Sequence, residues 1–91
     1  MIVKVKFFAY FREAFGARDL ALPLPAGATV GAALDRLCDT PARRSEIFDG
    51  PALKPHIVIM INGAGLPPDF GLATALADGD VLAIFPMMGG G

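Results

Sequence analysis

The residue types that most often act as nucleophiles or general bases are scarce in this 91-residue sequence. It holds one serine, Ser45, one histidine, His56, and one cysteine, Cys38. A serine triad would have to pair Ser45 with His56, and a thiol nucleophile would have to pair Cys38 with His56. Ser45 falls in a charged helical segment, His56 precedes a predicted strand, and Cys38 lies on an apolar helical stripe. We therefore interpret all three residues as structural.

The acidic residues do not predict a metal site. Between positions 35 and 49 they are interspersed with arginines, which is typical of a solvated surface of mixed charge. The residues in question are Asp35, Asp39, Glu46 and Asp49 among Arg36, Arg43 and Arg44. A single cysteine excludes both an intrachain disulfide and a cysteine-based zinc cage. No metal ligand is predicted, and the glycines do not form a phosphate-binding loop.

The remaining reactive group is the carboxylate at the end of the sequence. The last six residues are Pro86, Met87, Met88, Gly89, Gly90 and Gly91. A proline sets an extended exit from the preceding strand, and three glycines give a segment no thicker than backbone. Such a segment could enter a narrow channel in a partner, although ordering it costs about 1–2 kcal/mol per residue. We predict a domain over residues 1–86, a flexible tail over residues 87–91, and Gly91 as the reacting residue.

Composition restricts the class of protein further. The hydrophobic class makes up 54% of the residues and the formal net charge is −1, which suits one small domain with an apolar core. The absence of a basic patch in the sequence argues against nucleic acid as a partner. The longest wholly apolar run, Ile57–Ile61, is far shorter than the ~20 residues that span a bilayer. We expect a cytoplasmic protein without a membrane partner.

The first half of the sequence predicts two strands and a helix. Alternation places Val3, Val5, Phe7 and Ala9 on the core face of a first strand. A loop with a turn at Gly16 leads to the second strand, LALPLP, whose proline marks it as a sheet edge. The helix covers residues 28–41, with Thr29 as N-cap and Pro41 as its end. Its apolar stripe is Val30, Ala33, Leu34, Leu37 and Cys38, and Gly31 within it indicates a closely passing backbone.

The second half predicts further strands joined by tight turns. A short helical turn in ARRSEIFDG precedes the strand IVIMI, which runs into the turn dipeptide Asn62-Gly63. A brief return strand, an irregular segment and a turn at Asp78-Gly79-Asp80 lead to the last strand, which Pro86 ends. If the first and last strands are parallel neighbours, this order is the β-grasp. The predicted fold is therefore α+β, with a mixed sheet of four to five strands and one main helix on one face.

One face of this sheet lacks a predicted covering layer. The strands IVIMI and VLAIF are apolar on both faces, yet the one long helix can cover only one of them. An exposed apolar patch commonly marks a partner surface. We predict such a surface at Phe8, Val58, Met60 and Phe85.

Three segments resemble the MoaD/ThiS family of ubiquitin-like sulfur carriers, in particular its molybdopterin synthase small subunits. They are KVKFFAYFREAFG near the start, VIMING in the middle and LADGDVLAIFPMMGGG at the end. The most specific feature is the spacing from the ADGD turn through a strand and Pro86 to Gly90-Gly91. The pattern Ala9, Arg12, Glu13 and Gly16 adds to the resemblance. Met87 departs from it, because family tails often carry a second proline there.

The resemblance implies a mechanism in which other proteins hold the catalytic side chains. An E1-like adenylating enzyme would use ATP to convert the Gly91 carboxylate into an acyl-adenylate, and a sulfur donor would then give a thiocarboxylate. The tail would enter the large subunit of molybdopterin synthase and donate sulfur for molybdenum cofactor biosynthesis. This chain would be a carrier subunit, not an enzyme, and would bind no cofactor by itself.

Three alternatives use the same fold. Thiamine-pathway sulfur carriers tend to be shorter and to lack the stretch that here runs from Thr40 to Leu53. A ubiquitin-like modifier would use the same activated tail to conjugate to lysines. A β-grasp interaction module would have a passive tail, so that deletion of Gly91 would leave its function intact.

Overall fold

A computed structural model describes residues 1–87 of the chain as a five-stranded sheet with helices packed on one face. The strands are β1 (Ile2–Phe7), β2 (Asp19–Pro23), β3 (Phe48–Asp49), β4 (Ala52–Leu53), β5 (Ile57–Ile61), β6 (Ala64–Gly65) and β7 (Val81–Pro86). The helices are α1 (Phe11–Phe15), α2 (Val30–Leu37) and α3 (Pro41–Ile47), and a 3₁₀ turn covers Gly71–Ala73.

The sheet has the strand order β2-β1-β7-β5-β6. Strand β1 pairs antiparallel with β2 and parallel with β7, and β5 pairs antiparallel with β7 and β6. The first and last strands are thus parallel neighbours at the centre, with β2 at one edge as predicted. This topology confirms the predicted α+β fold, and the mixed sheet has five strands where four to five were predicted.

The core lies between the sheet and the helices. On β1, Val3, Val5 and Phe7 are almost fully buried while the residues between them are exposed. The predicted stripe of α2 is also buried, and its N-cap is confirmed because Oγ1 of Thr29 accepts a hydrogen bond from Ala32 N–H at 3.2 Å. Strands β5 and β7 contribute the side chains that complete this layer, namely Ile57, Ile59, Leu82 and Ile84.

The predicted position of Ala9 on the core face is wrong. Strand β1 ends at Phe7, and Ala9 is exposed with a positive φ of 55°. The chain turns there into α1, a short helix at a place where the sequence pattern predicts a loop. Its aromatic residues are buried, and the Phe15 ring stacks on Phe7 with centroids 4.7 Å apart. The predicted turn at Gly16 is confirmed, since this residue caps α1 in the left-handed conformation.

Pro41 begins a helix instead of ending one. Helix α2 stops at Leu37, and Pro41 occupies the first turn of α3, where its missing N–H costs nothing. Oγ1 of Thr40 accepts a hydrogen bond from Arg43 N–H at 3.1 Å and so caps α3. The predicted helical turn is therefore a seven-residue helix, and the small β3–β4 hairpin that follows it was not predicted.

Two predicted glycine roles are confirmed by geometry. A Cβ added to Gly31 would lie 3.2 Å from the carbonyl oxygen of Leu72, so the 3₁₀ segment does pass close to α2. In the turn between β5 and β6, Asn62 and Gly63 both have positive φ, at 51° and 83°. This is the backbone pattern for which Asn-Gly is favoured.

The turn before β7 is held by side-chain hydrogen bonds that reach other elements. Oδ1 of Asp78 accepts from Ile2 N–H at 2.7 Å, which ties the turn to the start of β1. The Asp80 carboxylate accepts from Ala77 N–H at 2.8 Å and from Nδ2 of Asn62 at 3.0 Å. These contacts explain both aspartates of the ADGD segment as structural residues.

Candidate functional site

The face of the sheet away from the helices carries apolar side chains at its centre. Alternation along the strands places Phe8, just beyond β1, on this face together with residues of β7 and β5. Val58 lies opposite Phe85, and Met60 lies opposite Ala83, in the β5–β7 pair. Phe8 is 38% exposed, and the side chains of Val58, Met60 and Phe85 are half-buried.

Several of the predicted partner-surface residues come together in one apolar groove. The groove has a volume of about 430 Å³ and is lined by Phe8, Ala9, Met60, Ala83, Phe85 and Pro86. The rings of Phe8 and Phe85 meet edge to face, with centroids 5.9 Å apart. Val58 lies on the same face of the sheet but does not line the groove.

The groove reaches the point at which the predicted tail leaves the sheet. Pro86 lines the groove and is the last residue of β7, in register with Ile57 of β5. The backbone N–H of Met87 then donates a hydrogen bond to the carbonyl oxygen of His56 at 2.6 Å. Met87 itself is 63% exposed. The remaining tail residues, Met88, Gly89, Gly90 and Gly91, lie outside the described residues.

Two side-chain contacts near the predicted site residues were not predicted, one made by Arg12 and one by Tyr10. Nε of Arg12 donates a hydrogen bond to the Phe7 carbonyl oxygen at 3.0 Å, and the guanidinium carbon lies 5.7 Å from the centre of the Phe8 ring. The hydroxyl of Tyr10 lies 3.1 Å from Nε2 of His56. Arg12 could have been found from the spacing of Ala9, Arg12 and Gly16, whereas no local signal joins Tyr10 to His56.

The three candidate nucleophiles or bases form no hydrogen bonds with one another, and each has different neighbours. Oγ of Ser45 donates a hydrogen bond to the carbonyl of Ala42 at 2.8 Å, within α3. His56 pairs with Tyr10, and Cys38 is buried at the end of α2. Burial raises the pKa of the Cys38 thiol to about 11, so it stays protonated at neutral pH and is a poor nucleophile.

Two of the four acidic residues between positions 35 and 49 take part in ion pairs. Oδ1 of Asp39 lies 3.0 Å from Arg43, and Oδ1 of Asp35 lies 3.1 Å from Arg44. Within residues 1–87, no group of three His, Cys, Asp or Glu side chains is placed to hold a metal ion. None of the helices in that range has both the length and the apolar character needed to cross a membrane.

Comparison with known proteins identifies relatives that match this chain over its full length and share its fold. The sequence profile of the ThiS family matches residues 5–91. Small archaeal modifier protein 3 of Haloferax volcanii is 34% identical over 92 residues, which cover all of both proteins. The crystal structure of SAMP1 from the same organism has a TM-score of 0.84 and 35% identity, with full coverage of both chains.

A further solved structure comes from Pyrococcus furiosus. It bears the description "Putative molybdopterin converting factor, subunit 1", and its TM-score is 0.75 at 30% identity. The match covers 94% of this chain and 97% of that one. The fold is therefore shared along nearly the whole length of these proteins.

Proposed function

The chain belongs to the ThiS family of ubiquitin-like proteins, and on that premise we propose that it carries sulfur as a thiocarboxylate on Gly91. An E1-like adenylating enzyme supplies the activation. The Gly91 carboxylate attacks the α-phosphorus of ATP, pyrophosphate leaves, and an acyl-adenylate forms. A sulfide donor then attacks the acyl carbon, AMP leaves, and the thiocarboxylate remains on the carrier.

The observation that carries this proposal is the continuity of the groove with the start of the tail. Pro86 both lines the apolar groove and ends β7, and the next residue, Met87, is hydrogen-bonded to His56. A partner that docks on the groove therefore meets the tail where it leaves the sheet. The catalytic side chains would belong to that partner, which also uses the ATP.

For the acceptor, we propose a pterin precursor of the molybdenum cofactor. The support is the likeness to the Pyrococcus furiosus protein described as a molybdopterin converting factor subunit, at 30% identity over most of both chains. In this role the thiocarboxylate would enter the large subunit of molybdopterin synthase. The thin glycines Gly89, Gly90 and Gly91 suit a narrow channel, because a residue without Cβ lets the backbone approach closely.

A second candidate function is that of a ubiquitin-like protein modifier. It is favoured by the 34% identity to small archaeal modifier protein 3. The activated tail is the same in both roles, and only the nucleophile differs. A lysine amine would displace AMP or sulfide from Gly91 and leave an isopeptide bond.

The test is intact-mass measurement of the purified chain after incubation with an E1-like enzyme from the same organism, ATP and sulfide. Exchange of one oxygen for sulfur on the wild-type chain, and none on a chain lacking Gly91, is the expected result. Isopeptide adducts on lysines, without the sulfur-bearing form, would favour the modifier role instead. An unchanged mass in the wild type would contradict activation of the tail and support a passive interaction module.

A further inference from the structure

A second, polar cleft adjoins the apolar groove on the same face of the molecule. It has a volume of about 160 Å³ and is lined by Lys6, Phe7, Phe8, Arg12, Arg18 and Asp19. Phe8 lines both clefts, so the two adjoin at this residue. A single partner segment that crosses Phe8 would therefore contact both.

The polar cleft has an excess of positive charge. Three cations line it, and Asp19, the register partner of Lys6 in the β1–β2 pair, is its one carboxylate. The ion pairs formed within residues 1–87 join Arg43 to Asp39 and Arg44 to Asp35, on the helical side. No carboxylate in that range forms an ion pair with Lys6, Arg12 or Arg18. The cleft is thus cationic in a chain whose formal net charge is −1.

The position of Arg12 makes the cleft suitable for a carboxylate. Its Nε donates to the Phe7 carbonyl, and its guanidinium lies near the Phe8 ring, so that two contacts fix its orientation. The hydrogen bond uses one edge of the guanidinium and leaves the other nitrogens available as donors. A guanidinium held in this way loses little side-chain entropy when it binds a carboxylate.

We propose that the partner docking on this face presents an acidic and apolar surface element, with an apolar side chain in the groove and an Asp or Glu carboxylate in the cleft lined by Lys6, Arg12 and Arg18. This inference rests on the proposed function, because the partner in question is the E1-like adenylating enzyme. The apolar contact supplies the binding energy, and the carboxylate fixes the register along the sheet and accelerates encounter.

The experiment measures ATP-dependent adenylate formation as a function of carrier concentration, with an E1-like enzyme from the same organism. The double variant Lys6→Glu, Arg18→Glu is expected to raise KM for the carrier about tenfold at low salt with kcat unchanged, since reversed charges at an interface mainly slow association. Lys6→Gln with Arg18→Gln is expected to give an intermediate rise. Asp19→Asn is expected to lower KM, because it removes the competing carboxylate.

The matched control is Arg36→Glu, an exposed charge reversal on α2, on the other side of the molecule. It is expected to leave KM unchanged. Added salt is expected to raise KM of the wild type more than that of the double variant. Equal KM values for the wild type and the double variant, or an equal rise in Arg36→Glu, would overturn the inference. A wild-type chain that forms no adenylate would instead contradict the proposed function.

Discussion

The ring of Phe8 meets the ring of Phe85 edge to face, with centroids 5.9 Å apart and planes at 83°. These residues come from opposite ends of the sequence and are joined by the parallel pairing of β1 with β7. Phe8 N–H donates to the Ile84 carbonyl at 3.2 Å, which extends that pairing beyond the end of β1. The apolar groove thus depends on the register of the two central strands.

Phe8→Ala is expected to weaken partner docking far more than it weakens the fold. Truncating a central aromatic side chain of an interface commonly costs about 2 kcal/mol or more, so KM for the carrier in adenylation should rise about thirtyfold or more. The free energy of unfolding should fall by only about 1 kcal/mol, because the lost contacts are those of a partly exposed aromatic pair. Phe70→Ala, at a residue 65% exposed outside the groove, is the control. Equal KM values for Phe8→Ala and Phe70→Ala would contradict the assignment of Phe8 to the docking surface.

Asp80→Ala is expected to destabilise the fold by about 1–3 kcal/mol, because two hydrogen bonds to a charged acceptor are lost. The carboxylate joins the turn before β7 to Asn62 in the turn after β5. Urea unfolding at neutral pH measures the change. Asp69→Ala removes an exposed carboxylate from a loop and should change stability by less than about 0.5 kcal/mol. Similar losses of stability in Asp80→Ala and Asp69→Ala would show that the hydrogen bonds of the Asp80 carboxylate contribute nothing to stability.

Ala9→Gly is expected to stabilise the protein by about 0.5–1 kcal/mol. Ala9 has a φ of 55°, and this conformation costs an L-residue roughly 1–2 kcal/mol, part of which the greater freedom of glycine in the unfolded chain offsets. The comparison is Ala32→Gly, at an exposed position of α2, which should destabilise by about 1 kcal/mol. If thermal unfolding shows a stability change of the same sign for Ala9→Gly and Ala32→Gly, the proposed strain at Ala9 is contradicted.

The Cys38 thiol is expected to make stability depend on pH in the alkaline range. Burial raises its pKa from 9.0 to about 11, so above about pH 9 the unfolded chain loses a proton that the native chain keeps. Its contribution is therefore complete below about pH 9 and is lost as the pH rises through about 11, by roughly 2–3 kcal/mol. Urea unfolding of the wild type and of Cys38→Ala, at about pH 9 and at about pH 11, measures this contribution to the free energy of unfolding. Parallel pH profiles for the two proteins would refute the assignment.

The sequence predicted the elements whose signals are local. Alternation identified β1 through Val3 and Val5, Thr29 identified the start of α2, and Asn62-Gly63 identified the turn after β5. The predicted helix end at Pro41 is wrong, because proline both ends helices and begins them. The cap at Thr40 was the signal that would have separated the two cases.

The site was harder to predict, because its parts are far apart in the sequence. Helix α1 is too short to show a helical period, and an alanine gives no warning of the positive φ at Ala9. Phe8, Met60 and Phe85 could be assigned to one face by strand alternation. The cationic cleft could not, since Lys6, Arg12 and Arg18 look like scattered charges until the turn through α1 and the β1–β2 pairing bring them together.

The central position of β7 has a consequence for how the protein is made. This strand lies between β1 and β5, so the two halves of the sheet cannot join before it has been synthesised. While the ribosome is still adding residues, β1 can pair only with β2, and a lone two-stranded hairpin is marginally stable in water. The sheet therefore cannot be completed during synthesis before β7 has been made, and a product truncated before β7 would be exposed to proteolysis instead of competing with the intact molecule for its partners.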